Sequence, residues 1–128
     1  EMPGWQHIGD EVWQAQALQN CREMVCQYRS HPSIFLWGAR ISGSPDNEAF
    51  YKRTNEAIHR LDPTRPTAGT RSTRKSQLLE DVYAYNDYSY AGRGTGCENR
   101  AAVTPDTRKG YLISEFGGQN FPAKPFDD

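Results

Sequence analysis

Cysteine is scarce, long apolar runs are missing and neither charge is in surplus, and each shortage removes a class of protein. Cys21, Cys26 and Cys97 are odd in number and lack metal-ligand spacing, so neither a disulfide framework nor a zinc site is indicated. They read as thiols packed like small hydrophobes or left at the surface. No run approaches the roughly 18 apolar residues of a membrane span, so no membrane role is expected. With 15 basic against 16 acidic residues and a net charge of -1, the chain has no electrostatic footprint for nucleic acid. No glycine-rich phosphate loop follows a strand, since Gly92, Gly94 and Gly96 open no helix. A nucleotide-binding doubly wound sheet is therefore disfavoured, and neither cofactor nor metal is expected. The start, Glu1-Met2-Pro3-Gly4-Trp5, has neither the basic region nor the apolar core of a signal peptide, which leaves the compartment unread.

What is present fits one domain over residues 1–128. Asp10 is a helix N-cap candidate. After it, Leu18, Cys21, Val25 and Tyr28 fall three or four apart and form one buried helix face. Pro32 ends that helix near Ser30. Ile34 to Gly38 is apolar on both faces, as in a parallel strand covered on each side, and Ala39 to Ser44 follows as a strand tip. Ser44 as N-cap and Pro45 at the first helical position start a second helix, with Phe50, Ala57, Ile58 and Leu61 inward and Lys52, Arg53 and Glu56 outward. Thr67 to Thr70 is a short strand, and Arg71 to Gln77 is a loop whose Arg71, Arg74 and Lys75 read as a solvated face. Asp81 to Asn86 is a third strand. From Ala91 to Lys109 periodicity is lost, which gives an irregular loop with room for one short helix.

The stretch Gly110 to Gly118 is the one that points to chemistry. Tyr111, Leu112 and Ile113 run into Ser114 and Glu115 before two glycines turn the chain, the pattern of a buried strand with a carboxylate at its tip. A carboxylate at the C-terminal end of a barrel strand reads as catalytic; the plainer alternative is a Glu that pairs with an Arg or faces water. The alternation of helices and strands predicts an α/β fold with a parallel sheet. About four strands are too few to close an eight-stranded barrel, so a fragment or half-barrel is expected.

Several segments together resemble the catalytic TIM barrel of glycoside hydrolase family 2, the β-galactosidase and β-glucuronidase family. They are Pro3-Gly4-Trp5-Gln6 with Gly9-Asp10-Glu11, His31-Pro32-Ser33-Ile34 with Leu36-Trp37-Gly38, Leu61 to Pro66, Asp81-Val82-Tyr83, and Ile113 to Gly117. The resemblance implies a partial (β/α)8 barrel, its second half, with Glu115 matching the nucleophile of a retaining β-glycosidase acting on a β-galactoside or related glycoside. It also implies an Asn-Glu pair after the fourth barrel strand, where this chain has Ser42-Gly43; Gly43 thus marks the position of a missing acid/base. Tyr88 falls where the family has a tyrosine touching the nucleophile. Ser42, Asn86 and Trp37 are further substrate-binding candidates, although Trp37 also suits interior packing. His7 and His31 suit either sugar contact or the capping of a chain end. By itself the chain is expected to be inactive or nearly so. The alternative is a noncatalytic carbohydrate-binding protein, or a fragment forming homo-oligomers that cover open sheet edges.

Overall fold

The computed structural model describes residues 5–89 and 97–116. Pro3-Gly4, Gly92, Gly94, Gly96 and the Gly117-Gly118 turn, all singled out above, lie outside them. Four strands, β1 (Trp37–Arg40), β2 (Thr67–Arg71), β3 (Val82–Asp87) and β4 (Gly110–Phe116), form one sheet in the order β1-β2-β3-β4, every neighbouring pair parallel. Among the described residues three α-helices accompany them: α1 (Glu11–Tyr28), α2 (Glu48–Leu61) and the single turn α3 (Arg100–Val103). The strand order never reverses, so the described sheet has no switch point of the doubly wound kind. No helix among the described residues is long and apolar enough to cross a membrane.

Asp10 caps α1 as its sequence position suggests, its carboxylate accepting from the N–H groups of Val12 at 2.8 Å and Trp13 at 3.2 Å. Cys21 and Val25 of α1 pack with Trp37, Ala39 and Ile58 into one core cluster, while Ala17 joins Ile8, Ile41, Phe50 and Tyr51 in another. Burial in this setting pushes the Cys21 thiol up to about 11. Tyr28, expected on the buried face, is exposed instead, its ring 5.8 Å from that of His31.

The second helix starts later than Ser44. That hydroxyl is taken up by the carbonyl of Ile41 at 2.8 Å and by the phenol of Tyr51. Asn47 caps α2 in its place, accepting from the N–H of Phe50 at 3.1 Å. The apolar run Ile34 to Gly38 is not a strand along its length either. Arg65 Nε binds the Ile34 carbonyl at 2.7 Å, and pairing begins only where the Trp37 N–H meets the carbonyl of Pro66.

Arg71 departs furthest from expectation. It closes β2 with 1% of its surface exposed, its guanidinium 4.4 Å from the Tyr83 ring centre and 2.6 Å from the Glu80 carboxylate. Gly69 makes room for this pair, because a side chain there would collide with the Glu80 carboxyl. Arg74 and Lys75 are exposed as expected. Together these contacts fill the outer face of β2 and β3. On the opposite, inner face, Gly38 and Leu112 stay exposed. β4 is thus half-buried, not the strand covered on both sides that its apolar run suggested.

Candidate functional site

The C-terminal ends of β1, β3 and β4 bring the candidate residues together. Partners in a parallel ladder point to the same side, and side chains alternate between faces along a strand. Tyr83 and Tyr85 belong to the outer cluster with Val103, so Val82, Ala84 and Asn86 face inward. Leu112 pairs with Ala84 and likewise faces inward, and strict alternation from it would send Glu115 outward. A one-residue shift between Tyr85 and Asn86 reverses this by placing Glu115 opposite Asn86. The bulge is what aims the carboxylate inward, a common use of the device near barrel rims. A second shift lies on β1 between Gly38 and Arg40. It sets Arg40 opposite Gly69, on the outer side, where its guanidinium stacks 4.6 Å from the Tyr51 ring centre and meets Asp46 at 2.6 Å.

Glu115 is exposed and accepts a hydrogen bond at Oε2 from the Tyr88 hydroxyl. Beside it Asn86, itself buried, joins two other strand tips. Its amide nitrogen donates to Ser42 Oγ at 2.9 Å, and its amide oxygen accepts from Ser114 Oγ at 2.9 Å. The residue before Gly43 is thereby linked to the residue before Glu115 through one side chain. Gly43 adopts the left-handed conformation, φ +74°, with open space where a Cβ would project.

Asp87 organises the approach to Tyr88. One carboxylate oxygen accepts from the N–H of Ser89 at 3.0 Å and from its hydroxyl, while the other accepts from the Glu98 N–H at 2.8 Å. Burial alone would raise the Asp87 pKa, but these donors outweigh it and hold the group below the usual carboxylate range. The same residue charges the surroundings of Tyr111, whose phenol is pushed up to about 12, first by burial and then by Asp87. The sequence analysis gave Asp87 no role and did not foresee Ser114 as a bridge.

Trp37 does not join this group. It lies at the opposite end of β1, 3% exposed among Cys21, Val25 and Ile58, and its indole N–H donates to Asp62 at 3.0 Å. Its burial against the helices corrects the expectation of a sugar contact and fits the packing alternative. His31 sits before β1 at that same far end, and His7 is exposed in the turn before α1. No group of three or more metal-ligating side chains occurs among the described residues.

The arrangement can present one carboxylate, steadied by a phenol, to a ligand lying over the inner face, with amide and hydroxyl groups alongside. Comparison with known proteins gives the family. The family model for glycosyl hydrolases family 2, TIM barrel domain, matches residues 3–123. The chain is 44% identical to a β-galactosidase of Thermoanaerobacter pseudethanolicus, over all of this chain and 16% of that protein. It is also 44% identical to a β-galactosidase of Thermoanaerobacterium thermosulfurigenes, over all of this chain and 18% of that one. Among solved structures it is similar to a family 2 β-galacturonidase from Eisenbergiella tayi bound to galacturonate, with TM-score 0.57 and 28% identity over 63% of this chain and 16% of the other. A Parabacteroides merdae β-glucuronidase gives TM-score 0.50 and 27% identity over 62% of this chain and 11% of the other. The chain thus spans under a fifth of the length of the relatives it matches, and within that span it belongs to glycosyl hydrolase family 2, as part of the TIM barrel domain.

Proposed function

We propose that this chain contributes the nucleophile side of a retaining β-glycosidase active site, with a β-galactoside as substrate. The observation that carries the reading is the inward-facing Glu115 with the Tyr88 hydroxyl on its carboxylate and Asn86 beside it. In a retaining glycosidase one carboxylate attacks the anomeric carbon, and a second carboxyl group about 5 to 5.5 Å away protonates the leaving oxygen. Glu115 takes the first role. Tyr88 donates to the carboxylate and fixes which oxygen points at the sugar, while Asn86 and Ser42 offer an amide and a hydroxyl to the sugar's own hydroxyls. Gly43 occupies the acid/base position and supplies no proton, which accounts for the inactivity expected of the isolated chain. The 44% identity to two β-galactosidases supports the choice of sugar.

The test uses the full-length polypeptide that contains this chain. An aryl β-galactoside with a good leaving group should be cleaved, and Glu115→Gln should lower turnover by about 10⁴-fold or more, as expected when a covalent nucleophile is lost. No turnover of any aryl glycoside by the unaltered protein would sink the proposal.

Gly43 and the exposed inner face favour a second reading, a noncatalytic sugar-binding member whose end strands β1 and β4 pair with another copy. It requires oligomers, and a clean monomer in analytical ultracentrifugation would count against it.

A further inference from the structure

The surroundings of Gly43 limit the kind of glycoside this rim can open, provided that Glu115 is the nucleophile as read above. If a proton donor were needed, some other carboxyl group would have to stand in for the one missing at Gly43. All but one of the nearby candidate carboxyl groups among the described residues are already committed. Asp46 accepts from Arg40 at 2.6 Å, Ser76 at 2.5 Å and the Gln77 N–H at 3.0 Å. Glu80 is buried against Arg71 on the outer face. Asp87 is filled by Ser89 and Glu98, and Glu98 itself is held by Arg74 and by the Tyr85 hydroxyl at 3.3 Å. Glu48 is the exception, exposed beyond the Asn47 cap on the first turn of α2 and away from the strand tip itself. The space beside Gly43 is open, while Ser42 remains tied through Asn86 to the strand that carries Glu115.

We infer that the site acts on glycosides whose aglycone departs as a stabilised anion, and that it passes the sugar to a small external anion entering beside Gly43. In the first step a carboxylate oxygen of Glu115 bonds to the anomeric carbon as the glycosidic C–O bond breaks, its electron pair leaving on the aglycone oxygen. In the second, an anion such as azide bonds to the same carbon as the ester C–O bond breaks, and that pair returns to Glu115. No proton moves in either step, and two inversions leave the product in the β configuration. Water is a poor substitute for the anion because it must lose a proton as it attacks, and assistance of that kind is typically worth about 10² to 10⁴ in rate.

The experiment takes the full-length polypeptide with 2,4-dinitrophenyl and methyl β-galactosides, each with and without sodium azide. Expected are a burst of dinitrophenolate equal to the enzyme concentration, a slow steady state that azide accelerates at least about tenfold, β-galactosyl azide as product, and methyl galactoside slower by about 10²-fold or more. Gly43→Glu should remove the azide response and speed cleavage of the methyl glycoside. Because that variant must place Glu at a left-handed position and can misfold, the azide response of the unaltered protein is decisive by itself. Labelling by 2,4-dinitrophenyl 2-deoxy-2-fluoro-β-galactoside, located by peptide mass, separates the two readings. Label on Glu115 with a steady state indifferent to azide, or with methyl galactoside cleaved at a comparable rate, overturns the inference and leaves Glu115 as nucleophile. Loss of that methyl galactoside activity in Glu48→Gln would identify Glu48 as the surrogate donor and overturn the inference in the same way. Absence of both label and dinitrophenolate removes the proposed function and the inference together.

Discussion

Two carboxylates in this sheet, Glu80 behind it and Glu115 at its rim, show how one residue type serves opposite ends. Glu80 is 1% exposed, pinned to Arg71, and its Oε2 also accepts from the Leu79 N–H. Glu115 is exposed, and its carboxylate accepts from a phenol on a strand-end loop. A buried ion pair of the first kind contributes little net stability compared with apolar packing, but removing one partner strands the other charge. An exposed carboxylate of the second kind leaves the rest of the fold nearly indifferent to its loss. The comparison breaks most visibly by single substitution. Arg71→Met should lower unfolding free energy by about 3 to 5 kcal/mol, whereas Glu115→Gln should change it by less than about 0.5 kcal/mol. Urea midpoints decide the matter, and equal losses would mean that Glu115 is a structural residue too.

Gly69 sharpens the same contrast from the other side. A methyl group there runs into the Glu80 carboxyl and comes within 3.0 Å of the Arg40 Cβ, both on the packed outer face. Overpacking of this kind costs about 1 to 3 kcal/mol, and Gly69→Ala should show it as a lowered melting temperature. Gly38, on the exposed inner face, has nothing within 4 Å of a Cβ. Gly38→Ala should be close to neutral, and a loss as large as that at Gly69 would show that the inner face is packed after all.

The element order was legible from Asp10, from the apolar faces of the two long helices and from the runs that end at Asn86 and Glu115, because each rests on local periodicity or on turn chemistry. The residues that failed were those governed by distant partners. Arg71 reads as a solvated cation until Glu80, nine positions on, is brought beneath it, and Ser44 reads as a cap until Tyr51 claims its hydroxyl. The direction of Glu115 was also beyond the sequence, since simple alternation from Leu112 points it outward and only the bulge opposite Asn86 turns it in. Of the site, Glu115 stood out as a carboxylate at a strand tip and took its role from the resemblance, which also supplied Tyr88. The bridge Ser42–Asn86–Ser114 joins positions 44 and 28 residues apart, and no short-range pattern announces it.

At the rim, geometry should matter more than stability. Tyr88→Phe removes the donor to Glu115 and should reduce kcat on an activated aryl glycoside by about 10- to 10²-fold, below the 10²- to 10³-fold typical of a preorganised oxyanion donor, while the urea midpoint stays within error. Asp87→Asn keeps the shape but weakens the acceptor that organises Ser89 and Glu98, so it should lower kcat in the same direction by a smaller factor. If Tyr88→Phe turned over as fast as the unaltered protein, the phenol would be a bystander and the contrast between the two carboxylates would lose its functional half.

Asp46 sits between these extremes and carries a modest expected effect. Its side chain is 44% exposed, yet it ties the loop after β1 to Ser76 and Gln77 while holding Arg40. Burial works against the ionised form, but hydrogen bonds from Ser76, Gln77 and Arg40, with the Arg40 charge, outweigh it and depress the pKa. A carboxylate with a depressed folded-state pKa stabilises the fold at pH values above its unfolded value, near 3.8, and that contribution fades as pH falls through the folded-state value. Asp87 and Asp81 shift in the same direction, so stability should decline below about pH 4. Asp46→Asn should cost about 1 kcal/mol at neutral pH, because the amide keeps an acceptor for the buried Arg40 guanidinium and water screens the half-exposed carboxylate, and it should make the acid decline shallower. Urea midpoints at pH 7 and pH 3 for both proteins provide the check. An unchanged difference between the two pH values would remove Asp46 from the groups that tie the β1 tip to the loop behind it.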